Sequence, residues 1–65
     1  MMIAELFKQK ASLYGLPHED LANAVSALQY EDKGMFASAK EYRKLIVSGG
    51  SDVWVAAREL KEEIK

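Results

Sequence analysis

Four glycines divide this chain into segments of similar length, and that division constrains its fold more than any other feature. They stand at Gly15, Gly34 and the pair Gly49–Gly50. Glycine is favoured directly after a helix because its backbone readily adopts the left-handed conformation. The spacing therefore predicts four short helices over about residues 2–14, 17–31, 35–47 and 52–64, joined by tight glycine-containing turns.

The apolar residues recur with the period of an α-helix. The second segment is the clearest case, with Leu21, Ala24, Val25 and Leu28 three or four positions apart. No part of the chain alternates long enough to predict a strand. Ser38 offers a second start for the third helix, with residues 34–37 left as a turn. We predict an all-α fold, a small bundle of four short helices in a single domain covering residues 1–65, with consecutive helices antiparallel because their connections are short.

The composition limits how such a bundle can be stabilised. A chain of 65 residues buries only roughly 60% of its unfolded surface. It has no cysteine and a single histidine, which removes disulfides and the common zinc sites. Many predicted core positions are alanine, which lets helices approach closely but adds little apolar volume. We therefore expect a thin core, stabilised by close helix packing or by self-association.

Several functional classes receive no support from charge or hydropathy. The net charge is −1, so no molecule-wide field attracts nucleic acid or an anionic membrane. The longest strictly apolar run, residues 53–57, is far shorter than the roughly 20 residues that span a bilayer. The first segment has Glu5 within its apolar part, which is not typical of a signal peptide. We expect a cytoplasmic protein that does not act at membranes.

No catalytic arrangement is visible in the sequence. His18 is followed directly by Glu19 and Asp20, but three consecutive helical residues point in different directions and do not converge on one substrate. The sequence SGGSD at residues 48–52 lacks the lysine and the spacing of a phosphate-binding loop. We expect no enzyme, no cofactor, no metal and no small-molecule substrate, and a solvated helix start at His18.

The beginning of the last segment carries apolar side chains on three sides. Val53, Trp54 and Val55 are about 100° apart on a helix, whereas a helix on a small core buries one stripe. Arg58 lies one turn after Trp54 and can stack on its indole. Tryptophan and arginine are common interface anchors. We therefore predict a protein–protein interaction domain (homo-oligomer, adaptor or inhibitor) that uses Val53, Trp54, Val55 and Arg58. For Trp54 alone, the competing interpretation is that it caps its own core.

The third segment suggests an alternative function. Four basic residues lie along it or just before it: Lys33, Lys40, Arg43 and Lys44. Basic residues along one helix are a common way to bind the phosphates of nucleic acid. Glu41 interrupts this group, and Tyr42 fits the apolar stripe of the same helix. Nucleic-acid binding is therefore the less favoured hypothesis.

Overall fold

A computed structural model describes residues 3–47 and 50–64 of the chain. Within these residues it has four helices: α1 (Ile3–Tyr14), α2 (His18–Asp32), α3 (Phe36–Lys44) and α4 (Ser51–Glu63). The predicted all-α fold is confirmed, and the described residues contain no strand. The predicted start of the first helix at Met2 and the predicted role of Gly49 lie outside the described residues.

Helices α1 and α2 end at glycine in the same way. The φ angle is 68° at Gly15 and 77° at Gly34, the left-handed conformation predicted for these positions. The N–H of Gly15 donates to the Ser12 carbonyl at 3.2 Å and that of Leu16 to the Ala11 carbonyl at 2.8 Å, and Gly34 repeats this pair of bonds. Both ends are therefore Schellman motifs, in which the left-handed residue lets the chain satisfy the last carbonyls and turn away.

Helix α3 is shorter than the sequence predicts. It begins at Phe36, so the alternative start at Ser38 is wrong, and it ends at Lys44 rather than at residue 47. The N–H of Leu45 donates to the carbonyl three residues before it at 3.1 Å, and the N–H of Ile46 does the same at 3.3 Å. This tightened last turn ends the helix, and the apolar residues after Lys44 belong to the connection to α4.

The first residues of α2 and α4 also differ slightly from expectation. Pro17, predicted as the first helical residue, is the extended residue just before α2, with ψ of 135°. Gly50 occupies the same place before α4, which begins at Ser51 rather than at residue 52 and has no side-chain cap. Differences of one residue at a helix end are small beside the agreement in number and order.

The core is formed by α1, α2 and α4, each of which contacts the other two. Its buried members are Ala11, Leu21, Ala24, Val25, Val53, Ala56, Ala57 and Leu60. Half of them are alanine, so the expected thin core is present. Its bulk comes from Leu21, Leu60 and Val53, the largest fully buried side chains.

Helix α3 lies outside this core. Only the backbone of α2 comes close to that of α3, and Ala39 is the one buried side chain of α3. Ala27, which is buried on α2 but is not part of the core cluster, identifies the side of α2 that α3 covers. Next to it the rings of Tyr30 and Tyr42 stack with centroids 5.4 Å apart. One side of α3 is therefore packed, and the rest is left without a neighbour in the described chain.

Candidate functional site

The three apolar residues at the start of α4 occupy three different environments. Val53 is 1% exposed and belongs to the core. Trp54 is half-buried and packs against the same cluster. Val55 is 41% exposed. The fold itself therefore uses two of the three sides, and only Val55 presents a large apolar surface to solvent.

The remaining face of the indole is covered by a cation from another helix. The guanidinium of Arg43, on α3, lies 4.4 Å from the centre of the Trp54 ring. Its Nε donates to the Glu31 carboxylate at 3.0 Å, and its Nη2 bonds the same oxygen. The sequence placed Arg58 over this ring, and the structure places Arg43 there while Arg58 is exposed. Glu31 explains the difference, because it orients a guanidinium that α3 brings beside α4.

The four basic residues of the nucleic-acid hypothesis are not equivalent in the structure. Arg43 is held by Glu31 and Trp54. Lys44 pairs with Glu41 at 3.5 Å, and the ammonium of Lys33 lies 5.7 Å from the centre of the Tyr30 ring. Lys40 is exposed, with no ion pair or ring contact among the described residues. The basic residue best shaped to hold a phosphate, the arginine, is the one most engaged within the chain.

The side of α3 turned away from α2 packs against no other part of the described chain. Its six residues are all exposed and form two adjacent rows along the helix: Phe36, Lys40 and Lys44 in one, and Ala37, Glu41 and Leu45 in the other. We call this set the α3 outer face. Phe36 is 68% exposed and Leu45 is 57% exposed. The face thus has apolar residues at both ends and charged residues between them.

This surface was not predicted, for a specific reason. The helical period puts Leu45 near the apolar stripe that also contains Ala39 and Tyr42, and such a stripe is expected to be buried. Because α3 ends at Lys44 and packs through Ala39, Leu45 lies just past the end of the helix and is exposed. The signal that was available is the four-residue spacing from Phe36 to Lys40, which puts an aromatic residue on a charged row.

The three side chains considered for catalysis at the start of α2, those of His18, Glu19 and Asp20, do not converge, as expected. Asp20, however, is buried rather than solvated. His18 Nε2 lies 3.4 Å from a Glu19 carboxylate oxygen, and both side chains are largely exposed. Asp20 is 3% exposed and accepts the Val47 N–H at 3.1 Å. Among the described residues no three side chains gather as metal ligands, and this part of the chain forms no pocket. The carboxylate of Asp20 anchors the connection after α3 to α2.

A second polar cluster joins α1 to α4. The Lys10 ammonium lies 2.8 Å from Glu63 and 3.5 Å from Glu59, and the Tyr14 hydroxyl donates to Glu59 at 2.8 Å. The bond to Glu63 raises the pKa of Lys10, and the bond to Glu59 raises the pKa of Tyr14. Every group in the cluster is paired, so it is suited to holding two helices together.

Comparison with known proteins adds no family to this description. Neither protein-family models nor curated proteins nor solved structures give a match to the chain. No helix in the described ranges is both long and apolar enough to cross a membrane.

Proposed function

We propose that this chain is a small non-enzymatic domain that works by binding protein, as a homo-oligomer, an adaptor or an inhibitor, and that the α3 outer face is its contact surface. The observation that carries the proposal is the 68% exposure of Phe36 on a helix packed along one side only. Removing an exposed phenylalanine side chain from water is worth about 1.5–3 kcal/mol, so such a residue is a strong anchor for a partner.

The interface predicted on α4 has a smaller part in this proposal. Val53 and Trp54 are committed to the fold, which leaves Val55 and Arg58 as the members available to a partner. The proposed contact surface is therefore on α3 rather than on α4. We place the protein in the cytoplasm, because a chain without cysteine suits a reducing compartment.

Nucleic-acid binding through α3 is less well supported. Arg43 and Lys44 already pair with carboxylates of the same chain, and a phosphate would have to displace them. Leu45, at one end of the α3 outer face, gains nothing from a phosphate backbone but is well used by an apolar protein surface. The mixed apolar and charged character of the face thus favours a protein partner.

A photocrosslinker in place of Phe36 tests the proposal. The protein carrying benzoylphenylalanine at that position is expressed in the source cells, irradiated and recovered. The matched control carries the same group at Leu13, which is 78% exposed on α1. We expect an adduct from the position on α3 that is destroyed by protease and resists nuclease, and a much weaker adduct from the control.

Two results would contradict the proposal. An adduct that disappears on nuclease treatment would establish the nucleic-acid alternative instead. The absence of any adduct at either position would show that α3 has no macromolecular partner in the cell.

A further inference from the structure

We infer that this domain binds an acidic segment of a partner protein, which lies between α3 and α4 with a carboxylate held by Lys40 and Arg58. This inference rests on the proposed function, since it names the chemistry of the partner and adds Arg58 of α4 to the edge of the α3 outer face. It comes from the arrangement of α3 and α4 on α2.

The directions of the three helices follow from printed contacts between their ends. Val47, just after α3, bonds to Asp20 at the start of α2, so α3 runs antiparallel to α2. Lys61, near the end of α4, pairs with Asp32 at the end of α2. Trp54, near the start of α4, meets the last turn of α3. Helix α4 therefore runs parallel to α2 and antiparallel to α3.

One row of side chains on α3 faces one row on α4. The rows have the same spacing of four and then three positions: Phe36, Lys40 and Arg43 on α3, and Trp54, Arg58 and Lys61 on α4. They face each other because the Arg43 guanidinium lies on the Trp54 ring. No Cα atom of α3 comes within 8 Å of one in α4. The two rows therefore border an open groove, which we call the α3–α4 groove.

Two cations of the α3–α4 groove have no counterion. Arg43 and Lys61 pair with carboxylates of α2, whereas Lys40 and Arg58 are exposed and form no ion pair among the described residues. Because α3 and α4 are antiparallel, both free cations lie about one helical turn from the arginine–indole contact, on the same side of it. Two like charges along one groove raise the local concentration of anions, so a carboxylate is the group that this place favours.

The number of free charges favours a protein segment over nucleic acid. A protein that binds duplex DNA through its backbone makes about six to ten phosphate contacts, whereas the free cations here are Lys40 and Arg58. Glu31 and Asp32 of α2 also add negative charge beside the groove. A protein segment can place a carboxylate between the two cations and an apolar side chain on Phe36, which lies about 6 Å farther along α3.

Selection from a random dodecapeptide library displayed on phage tests the preferred chemistry without a known partner. We expect the recovered peptides to carry several aspartates or glutamates and a large apolar residue far more often than the starting library. The same selection on Lys40→Glu should lose the acidic preference. Lys8→Glu, the same change at an exposed site on α1, should keep it.

Titration of one recovered acidic peptide, labelled with fluorescein and followed by anisotropy, then tests each side chain. We expect a Kd on the order of 10–100 µM, and Lys40→Glu and Arg58→Glu should each weaken binding about tenfold. Replacing the glutamates of the peptide by glutamine should weaken binding similarly, and Lys8→Glu should leave the Kd within about twofold. Phe36→Ser should also weaken binding, and circular dichroism of each variant verifies that the chain is folded.

The inference is overturned if no peptide is recovered, if the recovered peptides are not acidic, or if both charge reversals leave the Kd unchanged. It is equally overturned if random-sequence DNA or RNA binds more tightly than the acidic peptides and Lys40→Glu abolishes that binding. In each case a protein adduct from the crosslinker at Phe36 would still support the proposed function, so the two ideas fail separately.

Discussion

The buried carboxylate of Asp20 connects two distant parts of the chain. It accepts the N–H of Val47 at 3.1 Å, in the connection between α3 and α4. We expect Asp20→Ala to lower the free energy of unfolding by about 1–3 kcal/mol, because the hydrogen bond that the buried carboxylate accepts from the part-buried Val47 N–H is lost. Glu19→Ala, at the neighbouring exposed position, should change it by less than about 0.5 kcal/mol. Urea denaturation followed by circular dichroism measures both, and equal effects would show that Asp20 acts only through the helix dipole.

The pairing of Arg43 with Trp54 has a direct optical readout, because Trp54 is the single tryptophan. Arg43→Ala uncovers one face of the indole, so we expect its emission to shift to the red and acrylamide quenching to increase. The loss of stability should be about 1 kcal/mol, the size of a partly exposed cation–π contact with its ion pair. Lys40→Ala, on the same helix but away from the ring, is the control. Unchanged quenching in Arg43→Ala would contradict the stacked geometry.

The surroundings of Trp54 and Asp20 also show what the sequence could not predict. Within one helix, neighbours three or four positions apart are known in advance, which is why Arg58 was expected on Trp54. Which residue of another helix comes closer depends on how α3 and α4 pack, and no local pattern contains that. The burial of Asp20 was missed for the same reason, since its acceptor role depends on where the chain passes after α3.

At the scale of elements, α3 is the one described helix that adds no residue to the buried core cluster. It is fixed through the close approach at Ala39 rather than through bulky core residues. We expect Ala39→Leu to force α3 away from α2 and to destabilise the protein by about 1–3 kcal/mol, as overpacking does. Ala37→Leu, the same change on the exposed side, should shift it by less than about 0.5 kcal/mol at micromolar concentration. Thermal unfolding gives the size of the effect.

Hydrogen exchange locates the same effect within the chain. In Ala39→Leu, the amides of α3 should lose protection while those of α2 and α4 keep theirs, because the core excludes α3. Uniform loss across all helices would contradict the separation of α3 from the core.

The contact between α1 and α4 predicts a dependence on alkaline pH. The bond from Tyr14 to Glu59 raises the pKa of Tyr14 above its ordinary value of 10.0, and the bond to Glu63 raises that of Lys10 above 10.5. The folded state therefore holds both protons more tightly than the unfolded state. Their stabilisation is complete below the ordinary pKa values and is lost as pH rises through the folded ones.

The corresponding measurement is the Tm between about pH 8 and pH 12, a range that brackets both titrations. We expect the Tm to fall from about pH 10 upward, and to fall less steeply in Tyr14→Phe, which has no phenolic proton to lose. Tyr42→Phe, which keeps the ring beside Tyr30, is the matched control and should follow the original curve. Identical slopes for Tyr14→Phe and the original protein would rule out the contribution of Tyr14.

The order and number of helices were predictable because both depend on local signals. Gly15 and Gly34 end helices through their own backbone freedom, and the stripe of α2 repeats with helical period. The end of α3 was not predictable in this way, because apolar residues continue to Val47 and the pattern does not say whether they are packed. Periodicity shows which side of a helix is apolar, but it does not show that a neighbour is present.

At the scale of the whole molecule, the dimensions are 29 × 25 × 16 Å. The thinnest of these is less than two helix diameters, so few side chains can be far from solvent. Because the molecule is thin and half of its core residues are alanine, only a few large apolar side chains are fully buried, with Leu21, Leu60 and Val53 the largest. A domain of this kind has a small free energy of unfolding, on the order of a few kcal/mol. In the homo-oligomer form of the proposed function, binding a second copy would therefore add a considerable fraction of that stability.

This consequence can be measured without separating monomer from dimer. Because only folded chains pair, association adds to the apparent stability by mass action, and the Tm should rise by several degrees between about 10 µM and 1 mM protein. Phe36→Ser should have a Tm that does not change over this range, whereas Leu13→Ser, the same kind of change at an exposed site on α1, should follow the original protein. If the Tm of all three proteins were independent of concentration, the core alone would account for the stability, and the α3 outer face would bind no second copy even at about 1 mM protein.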